Sequence, residues 1–352
     1  MAKRADIEDL PESDRVEGFP HPRETMDLIG HEEALARASR AIRSGRPPSA
    51  WLITGPPGIG KATFAYRLAR YLLSFGARDN GPADLSVPPN DPVSVQVKVN
   101  AHPGLLVLRR PVNEKTGKLM NVLSVDEVRR LGGFFGLTSG AGGWRVAIID
   151  TADEMNDAAA NALLKTLEEP PSRAMLLVLA NNPGRLLPTI RSRCQRLDLR
   201  PLPDEDVSRA LAHMLPKLKA EERAALVRLA AGSIGMALQF ADDDGVAFAQ
   251  EADRLIDASA NPDVPALLTL GDRLWRKTDG LEIFGTFLAD ALSARIRAKA
   301  KTSNTRLDAW IEAAERVRSK FARSSALYLD PRQTIISSAL TLEDARRRAG
   351  AI

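Results

Sequence analysis

Gly55-Pro56-Pro57-Gly58-Ile59-Gly60-Lys61-Ala62-Thr63 holds three glycines, two or three positions apart, ahead of a lysine. An apolar run, Trp51-Leu52-Ile53, precedes it, and a segment with helical spacing, Phe64 to Leu73, follows. Strand, glycine loop and helix in that order are the setting of a phosphate-binding loop. Its glycines let backbone N–H groups converge on an anion, while the helix N-terminus and the lysine add positive charge. Gly55, Gly58, Gly60 and Lys61 fit that loop. The next residue ordinarily carries a hydroxyl for Mg²⁺. Here it is Ala62, with the hydroxyl one residue late at Thr63. A helix turns about 100° per residue, so Thr63 is expected to face elsewhere. We therefore expect a degenerate nucleotide site with a damaged metal position, at which ATP or ADP binding is left open. A glycine turn without a ligand is the alternative.

A chain of 352 residues has room for two or three domains with a sizeable core. It begins without the apolar core of a signal peptide and has no later run long enough to cross a bilayer, so the cytoplasm is the expected location. Cys194 is the only cysteine, which excludes an internal disulfide and a cysteine-rich zinc site. The net charge of +4 permits contact with nucleic acid or acidic partners without establishing it.

Residues 1–20, rich in charge and proline, are expected to form an arm. A turn at Gly30 leads into a helix over Ala34 to Ile42. Between Phe75 and His102 the composition shifts to Pro, Asn, Asp and Gly, which predicts a surface excursion, with one exposed strand where valines alternate from Val93 to Val99. Leu105 to Leu108 reads as a core strand. Arg109, Arg110, Lys115 and Lys118 then read as a solvated loop, with DNA contact as the alternative. Ser124-Val125-Asp126-Glu127 matches a capping box and starts a helix to about Leu131. Further strands are predicted at Val146 to Ile149, Met175 to Leu179 and Gln195 to Leu199, with a helix over Asp153 to Leu167. The alternation predicts an α/β domain with a mainly parallel sheet covered on both faces. After Pro203 the text turns helical. The expected division is an arm (1–20), a nucleotide-loop domain (21–202), a small helical lid (203–244) and an all-α domain (245–352).

Asp150, at a strand end, stands where a nucleoside triphosphatase holds Mg²⁺, or equally where a carboxylate caps the next turn. The following position, where such enzymes can carry a water-orienting glutamate, is Thr151. Thr151-Ala152-Asp153-Glu154 reads as a second capping box, giving Glu154 a structural role. Asn181 and Asn182, before Pro183-Gly184, read as turn residues. Arg193, in Arg191-Ser192-Arg193-Cys194 at the domain edge, can project into a neighbouring subunit's site. Surface ion pairing is the ordinary role of Arg191, Arg193 and Arg196. Cys194 reads as a small buried residue.

Four passages together resemble one family: Gly55 to Thr63, Ile148 to Asn156, Asn161-Ala162-Leu163-Leu164-Lys165-Thr166-Leu167-Glu168-Glu169-Pro170-Pro171, and Leu187 to Cys194. The family is that of the δ′ subunits of the bacterial DNA polymerase III clamp loader, which are AAA+ proteins, and the resemblance spans roughly residues 20 to 240. It implies an AAA+ P-loop domain with a parallel five-stranded sheet, a helical lid and an all-α collar through which five subunits form a ring. The implied partners are τ/γ-type ATPase subunits and a δ subunit and, through the complex, the sliding clamp and primed DNA, with no membrane. The implied role is a non-hydrolysing subunit of the polymerase holoenzyme, in which Arg193 acts catalytically in trans as an arginine finger. The residues point the same way independently: Ala62, Thr151 and Gly235 each stand where a motor relative carries a working group. Most relatives have a four-cysteine zinc module after the phosphate loop, and this chain has no cysteine there. Zinc is not carried over, and no cofactor is required. The competing readings are an active AAA+ motor, τ/γ-like or a helicase motor, and a nucleotide-regulated DNA-binding module.

Overall fold

Five parallel strands form one sheet in the order β2-β3-β4-β1-β5. They are β1 (Ala50–Thr54), β2 (Leu105–Leu108), β3 (Arg145–Ile149), β4 (Ala174–Ala180) and β5 (Gln195–Asp198). The computed structural model describes residues 12–16, 18–113, 119–120, 122–136, 143–241, 243–277, 280–302, 307–327 and 329–352. It contains two compact units, Met1–Leu218 with Ala230–Gln239, and Lys219–Leu229 with Phe240–Ile352.

In the first unit β1 and β4 are buried along their whole length. Their unbroken apolar text follows from that, because a parallel sheet is covered on both faces. Leu52, Ala147, Ile149, Leu176 and Val178 point to one face and pack with Val128, Leu131, Leu163, Leu167 and Ile190. The helices on that face are α4 (Val125–Gly136), α5 (Asp157–Glu168) and α6 (Pro188–Arg193). The opposite face meets α2 (Lys61–Phe75), whose Phe64, Leu68, Tyr71 and Leu72 are buried. Before these lie α1 (Glu32–Arg43), and between α2 and β2 lies α3 (Pro92–Lys98). β4 separates β1 from β3. The phosphate loop after β1, Asp150 after β3 and Asn181 after β4 therefore open at one carboxyl edge, the place where open α/β sheets bind ligands.

The valine alternation at 93–99 is helix rather than strand. Asp91 caps it by accepting from Val93 N–H at 2.8 Å, and Pro92 occupies the first turn. Its buried residues, Ser94 and Val97, are three apart, the helical spacing. α4 runs on to Gly136, beyond the end expected near Leu131.

After α7 (Asp204–Met214), α8 (Ala220–Ala230) and α9 (Ile234–Gln239) the chain is helical throughout: α10 (Asp243–Asp257), α11 (Val264–Arg276), α12 (Gly280–Thr302), α13 (Asp308–Leu327) and α14 (Pro331–Ala349). α7 and α9 belong to the first unit, and residues 220–229 of α8 to the second. The second unit is held by aromatic pairs, Phe240 with Phe287 at 4.3 Å and Phe284 with Phe248 and Phe321 at 6.3 and 5.9 Å. Among the described residues no helix is long and apolar enough to cross a membrane.

Candidate functional site

Gly60 closes the phosphate loop at a φ of 105°, a conformation that suits glycine, and hands the chain to α2. The Lys61 ammonium donates to the carbonyls of Gly55 at 2.9 Å and Pro56 at 2.7 Å. Burial pulls its pKa down to about 8, against the charges of Asp150 and Asp153. Ala62, the second residue of α2, has no side-chain oxygen, and Thr63 follows, half-buried.

From the other side α9 braces the loop. Gly235 N–H donates to Gly58 O at 2.8 Å, and the Ser233 hydroxyl donates to Pro57 O at 2.9 Å. A Cβ at Gly235 would stand 2.6 Å from Gly58 Cα, so backbone lies on backbone and position 235 has no room for a side chain.

Asp150 is buried at the end of β3, and its Oδ2 accepts a 2.6 Å hydrogen bond from the Ser13 hydroxyl. Burial, reinforced by the charge of Asp14, raises its pKa to about 6. Thr151 takes a left-handed conformation, φ 49°. Its hydroxyl is buried and has no hydrogen-bond partner among the described residues.

The capping box expected at 151–154 does not form. Thr151 makes no side-chain cap, and Ala152–Glu154 is a single 3₁₀ turn. α5 begins only after Asn156, whose side chain accepts from Ala159 N–H at 2.8 Å. Asp153 instead ties this turn to the end of β4, accepting from the N–H groups of Asn181 at 3.1 Å and Asn182 at 2.8 Å. The Asn182 side chain caps the turn at Gly184, in keeping with its reading as a turn residue. Glu154 pairs with Arg110 at 3.0 Å.

Arg109 and Arg110 are not solvated cations of a loop. Arg109 Nε lies 2.9 Å from Asp14, and its guanidinium also engages Glu12 and the Tyr66 hydroxyl. Lys115 and Lys118 lie outside the described residues. Glu12 and Asp14 reach His21 Nε2 at 2.9 and 3.1 Å, and Glu12 also pairs with Arg23 at 2.8 Å. Glu12, Asp14 and His21 could offer three ligands to a cation. Two guanidinium groups already neutralise these carboxylates, which makes the cluster an ion-pair knot. Most of residues 1–20 lies outside the described residues, but the described part is docked on the domain through this knot. Nothing in the local text signals it, because its members are up to 97 residues apart. His31, equally unflagged, places its Nε2 2.9 Å from Ile59 O in the phosphate loop. Its burial lowers its pKa.

Arg193 ends α6 with 37% of its side chain exposed. It donates to Thr189 O at 3.1 Å and pairs with Glu168 at 2.9 Å. Cys194, beside it, is buried, which pushes its thiol up to about 11 and makes it a poor nucleophile at neutral pH.

Residues 30–203 match the family "DNA polymerase III, delta subunit". That region belongs to this family. Among curated relatives, DNA polymerase III subunit delta′ of Pseudomonas aeruginosa is 38% identical over 185 residues, 52% of this chain and 53% of that protein. The delta′ subunit of Escherichia coli is 34% identical over 204 residues, 58% of each chain. The gamma/tau subunit of Mycobacterium tuberculosis is 30% identical over 201 residues, 55% of this chain and 31% of that one. The chain thus spans a little over half the length of the delta′ relatives. A solved structure, a gamma-subunit-related protein of Thermotoga maritima, aligns over 89% of this chain and all of its own with a TM-score of 0.50 at 16% identity. At that identity the likeness speaks for the fold alone. The fold is the AAA+ one: a parallel five-stranded P-loop sheet with flanking helices, continued by a largely helical region.

Proposed function

We propose that this chain is a clamp-loader subunit of the δ′ kind. In this reading it joins τ/γ-type ATPases and a δ subunit in a hetero-pentamer that loads a sliding clamp onto primed DNA, and it turns over no ATP itself. The observation that carries the reading is the state of the metal side of the phosphate loop. A magnesium nucleotide needs an oxygen at position 62 and a carboxylate free to meet the ion. Position 62 is Ala, and Asp150 is buried and bonded to Ser13. The residues present do not fit that group. Gly235 and Thr151 extend the argument, since neither brings a charged side chain to the site. The identity is also higher to delta′ relatives, 38% and 34%, than to gamma/tau at 30%.

Arg193 is the residue through which such a subunit acts. Its pair with Glu168 lies on the surface, with 37% and 51% of the side chains exposed, and such pairs are worth about 0–1 kcal/mol. The guanidinium therefore leaves Glu168 at little cost when a neighbour's nucleotide phosphate approaches. Its planar fork suits that phosphate, and a charge placed there lowers the barrier of phosphoryl transfer in the neighbouring site.

A motor subunit is the second reading, favoured by the intact Lys61 and the gamma/tau relatives. Two measurements separate them. The purified chain is mixed with τ/γ and δ subunits and sized, and its own hydrolysis of ATP with magnesium is followed with and without Lys61→Ala. We expect a stoichiometric complex and a rate at the buffer background that Lys61→Ala does not change. Hydrolysis by the isolated chain that Lys61→Ala abolishes would make it a motor, and failure to join the complex would remove it from the clamp loader.

A further inference from the structure

Far from the phosphate loop in sequence, α13 and α14 of the second unit enclose a surface cleft of about 610 Å³, and among the described residues these two helices alone line it. Ile336, Leu340, Asp344 and Arg347 recur every three or four residues along α14, so they run as one stripe for about 16 Å. Arg316 and Lys320 stand one turn apart on the α13 wall. The middle of the stripe is apolar and open: Ile336 is half-buried, and Leu340 is 56% exposed. Lys320 carries the least compensated charge in the cleft. Its ammonium donates to Ser337 O and to the Thr341 hydroxyl oxygen, both at 2.6 Å and both uncharged. Among the described residues no carboxylate pairs with it, and burial together with the Arg316 charge lowers its pKa. An ammonium has three donors, so one remains for a ligand. Arg316 and Arg347 add two cations. Their own pairs, with Glu312 at 2.7 Å and Asp344 at 3.1 Å, join residues one turn apart on an exposed surface, where such pairs hold weakly.

We infer that this cleft is a docking site for an amphipathic helix of a partner protein, which lays an apolar stripe on Ile336 and Leu340 and sets an acidic side chain on Lys320. A helix suits the shape, because the groove between two packed helices is where the side-chain ridge of a third one seats. Charge decides the sign of the partner. Three cations face the cleft against the single carboxylate of Asp344 among the described residues, and a carboxylate brought to Lys320 supplies the counter-charge that its half-buried ammonium lacks. A nucleic-acid strand matches the cleft less well. Its bases find no aromatic ring among the described lining residues, its phosphates meet Asp344, and the apolar pair at the centre is left without a use.

The test uses the full chain and fluorescein-labelled helical peptides about five turns long. One carries leucines along one face with glutamates beside them. A second has lysines in place of the glutamates, and another has alanines in place of the leucines. Fluorescence anisotropy follows their binding to the native chain and to Lys320→Glu, Leu340→Gln and Arg323→Glu. Arg323 is exposed on α13 outside the cleft, so its reversal controls for net charge alone. The acidic leucine peptide should bind the native chain, and the other two peptides at least about tenfold more weakly. Lys320→Glu and Leu340→Gln should each weaken the acidic peptide at least about tenfold, and Arg323→Glu by no more than about twofold. Should Lys320→Glu fail to fold, Arg316→Glu takes its place with the same expectation, since Arg316 is 59% exposed. The inference is wrong if the acidic peptide does not bind, or if Arg323→Glu weakens it as much as Lys320→Glu. It is equally wrong if the cleft has another occupant: a single-stranded oligonucleotide that binds in place of the peptide and is lost with Lys320→Glu, or a dimer of the native chain that Leu340→Gln dissolves. None of these results bears on the clamp-loader reading, which is tested by assembly and turnover.

Discussion

Burial and the neighbouring Asp14 raise the pKa of Asp150 from 3.8 to about 6, so ionising this side chain penalises the folded state. For an acid whose folded pKa is raised, the penalty is absent below the unfolded pKa, grows as pH rises to the folded one, and is constant above it. Its size is on the order of 1–3 kcal/mol for a shift of this kind. Asp150→Asn keeps an acceptor for the Ser13 hydroxyl and removes the charge. We therefore expect it to stabilise the chain by about 1–3 kcal/mol at pH 7.5 and by nothing at pH 3.5, as measured by urea denaturation at both pH values. A loss of stability that is equal at both would mean that packing at Asp150, and not its charge, dominates. Thr151 bears on the same point. Its left-handed backbone and a buried hydroxyl with no partner among the described residues mark a strained residue next to the aspartate, a feature found at functional sites.

At the scale of elements, α9 and the phosphate loop meet backbone to backbone, and Gly235 is the residue that permits it. Gly235→Ala gains about 1 kcal/mol in helix propensity but forces a methyl to within 2.6 Å of Gly58 Cα, and overpacking of this kind costs about 1–3 kcal/mol. The net expectation is a loss of up to about 2 kcal/mol in chemical denaturation; a gain would show that the contact relaxes freely. This contact also shows the limit of reading elements from the text. β1 to β4 were legible because each is a largely apolar run of four to seven residues bounded by loops, and the phosphate loop because its glycines and lysine are adjacent, whereas β5, Gln195–Asp198, buries only Leu197. α3 was misread because four valines at alternate positions imitate the period of a strand, while the stronger signal was Asp91-Pro92, a cap followed by a first-turn proline. The helix after Asp150 was placed too early for a related reason. Thr151 to Glu154 has the residue types of a capping box, but the tie from Asp153 to Asn181 and Asn182 holds that turn apart from α5. Arg109 looked solvated because its partners, Glu12 and Asp14, are distant in sequence, and no local period encodes an ion pair across 97 residues.

At the scale of the molecule, the family match ends at residue 203, while the helical continuation runs to Ile352 with an aromatic core of its own. The chain thus joins a P-loop domain to a largely helical region, and the described contacts of its exposed Arg193 are with Thr189 and Glu168, not with its own phosphate loop. Under the proposed function this arginine serves a neighbour. The most direct measurement is DNA- and clamp-stimulated ATP hydrolysis by the reconstituted complex, carrying either the native chain or Arg193→Ala, with assembly confirmed in both. An arginine finger is worth about 10³–10⁵ in rate at the site it completes, so the turnover of that site should be lost and the overall rate should fall by at least that site's share. An assembled Arg193→Ala complex that hydrolyses ATP at the native rate would contradict the claim.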